Sequence, residues 1–150
     1  MQEPNVTAST IISFSEKLEE DSSRFYKELA KRRVETKGVF LSFAKESQTN
    51  KVLVTRTYQE TISDAFEACF SFKGLSLDDY KVKITLTKDT SRIEALKMAV
   101  ELEKKAGAFY LDAAGRSKSL LATIPQAFRK IAERRNARKL KLELLLEKFT

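Results

Sequence analysis

The stretch SRIEALKMAVELEKKAGAFYLDAA, residues 91–114, decides the fold. Ser91 followed by Glu94 matches the capping-box pattern that opens helices. Beyond it Ala95, Met98, Leu102, Ala106, Phe109 and Ala113 recur at spacings of three, four and seven. One apolar stripe therefore runs along a helix predicted over about Arg92 to Arg116.

The same stretch has a copy upstream. Leu102-Glu103 and Phe109-Tyr110 repeat Leu18-Glu19 and Phe25-Tyr26 at an offset of 84, and Ala114 matches Ala30. Phe128 and Ile131-Ala132 repeat Phe40 and Phe43-Ala44 at an offset of 88, the extra four residues falling in the loop Ser117 to Thr123. Around these anchors the periodicity predicts three more helices. The first runs from about Ser9 to Arg33, with Ile11, Phe14, Leu18, Phe25 and Leu29 on its stripe. The second runs from about Thr36 to Phe70. The last runs from about Pro125 to Phe149, with Phe128, Ile131, Leu142, Leu145 and Phe149 inward, and Thr123 to Gln126 repeats the capping-box pattern at its start. Residues 1–150 read as one domain: a hairpin over about 9–70, a crossover over about 71–90, and a hairpin over about 91–149. Val82, Ile84 and Leu86 alternate in the crossover, so part of it is expected to lie extended along the bundle. The fold class is all-α, a ferritin-like four-helix bundle of two helical hairpins with one long crossover.

Composition narrows the chemistry. The 150 residues hold 28 Lys and Arg against 21 Asp and Glu, a formal charge of +7, with no His, one Cys, four Gly and two Pro. Without His there are no Ser-His-Asp or Cys-His nucleophiles and no imidazole metal ligands. Cys69, flanked by Phe66, Phe70 and Phe72, is expected to be an inert core or boundary thiol. With no basic leader and no long apolar run, a cytoplasmic protein without a membrane span is expected.

The duplicated Leu-Glu and Phe-Tyr pattern, its crossover and the 91–114 stretch resemble the rubrerythrin-like branch of the ferritin-like superfamily, from about Thr10 to Phe149. The resemblance implies a metal site in which helices 1 and 3 each give a Glu and helices 2 and 4 each give Glu-x-x-His, holding two metal ions. Glu19 and Glu103 stand at the single-Glu positions. The other positions carry Ser47 and Asn50 on helix 2, and Arg135 and Arg138 on helix 4. Four of the six ligands are thus replaced, and a frame shifted by one residue recovers only Glu46 with Thr49. The paired CxxC ribbon of the family is also absent.

Taking about 100° per residue, Arg138 and the apolar residues Phe128, Ile131, Leu142 and Phe149 fall within roughly 60° of Arg135. A buried guanidinium needs a carboxylate or a path to water. Two arrangements meet that need: a buried cluster of Glu19, Glu103, Arg135 and Arg138 in the place of the metals, or arginines that snorkel to a bundle edge. Ser47 and Asn50 would take up remaining donors. Tyr26 and Tyr110 line the site or pack as core aromatics. Arg129, Lys130, Arg134, Lys139 and Lys141 spread around helix 4 and read as a solvated face, so nucleic acid is not the expected partner. Leu140 and Leu144 point away from the core stripe, toward a crossover contact or a homodimer seam.

Three functions follow. The leading one is a binding, regulatory or structural protein that has lost its di-metal centre, with no cofactor and no catalytic residue. The alternative is a rubrerythrin-type oxidoreductase or peroxide scavenger holding iron or manganese through carboxylates alone, Glu19 and Glu103 with Glu46 or Glu133. The second alternative is a nucleic-acid or polyanion binder using the surplus charge.

Overall fold

The computed structural model describes residues 5–61, 71–116 and 123–150. Among them four long helices stand in order: α1 (Ala8–Arg32), α2 (Lys37–Thr61), α3 (Arg92–Arg116) and α4 (Thr123–Phe149). Thr7 caps α1, its Oγ1 accepting from the Thr10 amide at 3.3 Å. Ser91 does the same for α3, accepting from the Glu94 amide at 3.1 Å. Helix α4 begins at Thr123, two residues before the expected start, with Pro125 in its first turn. The last stretch of the second predicted helix, with Cys69, lies outside the described residues.

Helices α1 and α2 pack as one hairpin, α3 and α4 as the other, and α2 meets α4 across the bundle. Two apolar clusters occupy its two ends. One gathers Ile11, Ile12, Phe109, Tyr110, Phe128 and Ile131. The other gathers Phe25, Leu29, Phe40, Phe43, Leu96 and Leu142. Between them, on all four helices, the buried residues are polar: Ser15, Glu19 and Ser22 on α1, Ser47 and Asn50 on α2, Glu103 on α3, Arg135 and Arg138 on α4.

The crossover departs from the sequence reading at its start, where strand β2 (Ser71–Lys73) pairs antiparallel with β1 (Asn5–Thr7) just ahead of α1. So short a ribbon is not stable alone and is held by the helices it joins. Gly74 follows with φ 77°, a left-handed turn that suits glycine. It drives Leu75 into the core, 1% exposed. Tyr80 then packs on Phe109 at 5.7 Å and donates to Asp112 at 2.6 Å, while Lys105 holds the Asp79 carbonyl at 3.0 Å. Val82, Ile84 and Leu86 alternate with exposed neighbours and pack on the second cluster. Arg32 fastens the far end by donating to the Thr87 carbonyl at 2.7 Å. Because the crossover is fastened to α1 and α3, it does not cover Leu140 and Leu144, which remain 54% and 67% exposed.

Candidate functional site: a buried carboxylate–arginine network

Ser15, Glu19, Ser22 and Tyr26 follow one another at spacings of four, three and four, so they share one face of α1. That face, not the apolar residues alone, is the buried one: all four are fully buried, while Phe14 and Leu18 are half-buried. The apolar residues place the stripe off-centre and leave Glu19 on its flank. Counting the polar residues centres it.

Arg135 is the hub. Its Nη1 donates to both oxygens of Glu103, at 3.0 and 2.9 Å, and its Nη2 donates to Glu19 Oε2 at 2.7 Å and to Ser22 Oγ at 3.0 Å. Both carboxylates and the guanidinium are buried, with no accessible side-chain surface. Burial alone would lower the Arg135 pKa, but the Glu103 and Glu19 charges outweigh it and hold the pKa above its ordinary value. Ser22 in turn donates to the Leu18 carbonyl at 2.6 Å, the back-bond available to a serine inside a helix.

Arg138 lies beside it. Its Nε donates to Glu46 at 2.7 Å and its Nη1 to Ser47 Oγ at 2.9 Å, with Glu103 Oε2 at 3.6 Å. Its guanidinium also sits over the rings of Phe43 and Tyr26, 5.6 and 5.9 Å from their centroids. Both arginines are therefore buried and paired, and neither snorkels to a bundle edge. Asn50 bridges outward, donating to Glu19 Oε1 at 3.1 Å and accepting from Arg134 at 2.8 Å.

Each tyrosine serves the carboxylate of the other hairpin. Tyr110 donates to Glu19 at 2.6 Å and leaves its oxygen to Ser15 at 2.7 Å, while Tyr26 donates to Glu103. Burial and then the neighbouring carboxylate charge push both hydroxyls far above the usual tyrosine range, so both remain donors. The internal repeat is visible in the bonding. Applying the offsets of 84 and 88 turns the pair Tyr26–Glu103 into Tyr110–Glu19, Glu46–Arg138 into Arg134–Asn50, and Asn50–Glu19 into Arg138–Glu103. The bundle is pseudo-symmetric, with α4 supplying the positive members and α2 the side chains Glu46, Ser47 and Asn50 that accept from Arg134 and Arg138.

Three members fall outside the sequence reading. Arg134, expected on the solvated face, is half-buried on Asn50; Ser15 and Ser22 complete the α1 face. Glu46, read from the sequence as a candidate carboxylate for a metal, pairs instead with Arg138, whereas Glu133, the other such candidate, is exposed. Arg135 Nε, Arg138 Nη2 and Ser23 Oγ find no hydrogen-bond partner among the described residues. Among the described residues there is also no group of three or more His, Cys, Asp or Glu placed to hold a metal ion, and no helix long and apolar enough to cross a membrane.

No protein-family profile and no curated protein matches the chain. Among solved structures, the crystal structure of a Thermotoga maritima protein described as a ferritin-like diiron-carboxylate protein matches at a TM-score of 0.80. The match covers 97% of this chain and 98% of that one, at 19% sequence identity, so the likeness is one of fold. The chain folds as a ferritin-like all-α bundle.

Proposed function

We propose that this chain is a rubrerythrin-like member of the ferritin-like superfamily in which two arginines replace the metal ions, and that it works as a binding, regulatory or structural protein. The observation that carries this reading is the Arg135 guanidinium set between the Glu19 and Glu103 carboxylates. A di-metal centre does not suit this donor set. Two carboxylates remain of the implied six ligands, their lone pairs are engaged by Arg135, Asn50 and the two tyrosines, and a fixed positive charge would repel an incoming cation.

Charge supports the same reading. Four carboxylates around two divalent ions sum to zero, and so do Glu19 and Glu103 with Arg135 and Arg138. The substitution keeps a buried layer neutral without metal. The lone Cys69, which has no second cysteine to form a disulfide with in this sequence, supports a cytoplasmic setting.

Elemental analysis tests the reading, after purification without chelator and anaerobic incubation with Fe(II) and Mn(II). Less than about 0.2 equivalents per chain is expected. About two equivalents, with an absorbance change on adding peroxide, would instead support a carboxylate-only oxidoreductase.

A further inference from the structure

One end of the bundle carries a second feature of different chemistry. The end of α1, the start of α2, the start of α3 and Phe149 at the end of α4 enclose a narrow cleft of about 30 Å³, room for about two water-sized groups. Its floor is apolar, formed by Leu29, Phe40, Leu96 and Phe149. Its rim carries three guanidiniums, Arg32, Arg33 and Arg92, and among the described residues no carboxylate lines it.

Two of the arginines are already oriented. Arg92 pairs with Glu35 and sits over the Phe149 ring, 4.1 Å from its centroid. Arg32 donates to the Thr87 carbonyl at 2.7 Å and has Glu28 at 3.7 Å. Glu28 and Glu35 hold these two from outside the cleft, leaving three positive charges against two negative ones around its mouth. Arg33 is exposed at that mouth.

We propose that this cleft is a binding site for a small organic oxyanion, a carboxylate or phosphate monoester on a short apolar or aromatic body. The ring edge or alkyl group enters the slot against Phe40 and Leu96, and the oxyanion stays at the arginine rim. Planar guanidiniums suit it because they offer paired donors to two oxygens of one carboxylate or phosphate. The narrow slot sets the size limit, and the rim sets the sign of the charge. Phe40 also stacks on Tyr26 at 6.1 Å, so the cleft lies one aromatic layer from the buried network. It does not depend on how that network treats metals, so the two measurements fail independently.

The test uses the full chain, amide NMR and four probes: benzoate, phenyl phosphate, benzyl alcohol and inorganic phosphate. Benzoate or phenyl phosphate should shift the Thr36, Ser91 and Leu96 amides saturably, with Kd below about 1 mM. Benzyl alcohol and inorganic phosphate should bind at least about tenfold more weakly, lacking the charge and the apolar body respectively. Arg33→Ala, a change at an exposed side chain, should leave the thermal midpoint in place and weaken phenyl phosphate and benzoate binding by about tenfold. The proposal is overturned if no probe gives saturable shifts at these amides, if inorganic phosphate binds as well as phenyl phosphate, or if Arg33→Ala binds like the parent.

Discussion

Glu19 offers lone pairs to several donors, and Tyr110, Asn50 and Arg135 each take one. Removing a single donor from so enclosed a carboxylate leaves unmet acceptor capacity that water does not readily reach. Tyr110→Phe should therefore lose about 1–2 kcal/mol in urea unfolding, and Tyr26→Phe a similar amount. If the two rings served only as aromatic packing, both changes would cost a few tenths of that. The same hydroxyls give a pH dependence. Their folded-state pKa is raised, whereas in the unfolded chain they ionise near the usual value of about 10. Stability should thus be intact below about pH 10 and fall as the pH rises beyond it, because only the unfolded state sheds these protons there. Tyrosinate absorbance checks the sign. At about pH 10.5 the folded protein should show well under the full signal, with the remainder appearing on denaturation, whereas a full signal from the folded protein would place the hydroxyls in water. Residue identity made part of this legible. Two arginines on an apolar stripe announce themselves, since a guanidinium there needs a carboxylate or a path to water, but the stripe alone did not choose between the two. Ser15 and Ser22 did not stand out, because a serine is as common on a wet surface as in a core and only its register with Glu19 and Tyr26 marks it.

At the scale of elements the periodicity was sufficient for the described helices, because each has apolar residues spread over several turns, and α1 and α3 open on hydroxyl caps. The crossover was legible only in part. Alternation at Val82, Ile84 and Leu86 marked an extended run, but nothing in the composition of 71–75 indicates that the chain turns back through Gly74 to bury Leu75. That burial depends on a cluster to which all four helices contribute. Leu75→Ala should cost about 3 kcal/mol, since its side chain is enclosed and the cavity cannot fill with water. Lys83→Ala, on the outward side of the same run, should change stability by less than about 0.5 kcal/mol. Equal small effects at both positions, read by thermal and urea unfolding, would mean that the crossover is a loose strap and contributes little to the core.

For the whole molecule the polar layer divides the interior into two apolar ends, and the hairpins meet through it. A bundle held this way has a specific weakness: its middle is stable only while every charge there is answered. Replacing one member of a buried ion pair strands the other, which typically costs about 3–5 kcal/mol, whereas removing both is far milder. The helix stripes above and below the pair carry the apolar packing of the fold. What the pair settles is how the centre of the bundle is filled. The most direct measurement is a double-mutant cycle in urea unfolding on Glu19→Gln and Arg135→Met. Buried pairing predicts that each single change is strongly destabilising, by about 3 kcal/mol for Glu19→Gln, and that the double variant loses less than the sum, with a coupling of about 2–3 kcal/mol. A Glu19→Gln loss below about 0.5 kcal/mol, with additive effects in the double variant, would contradict a buried ion pair at the centre of this bundle.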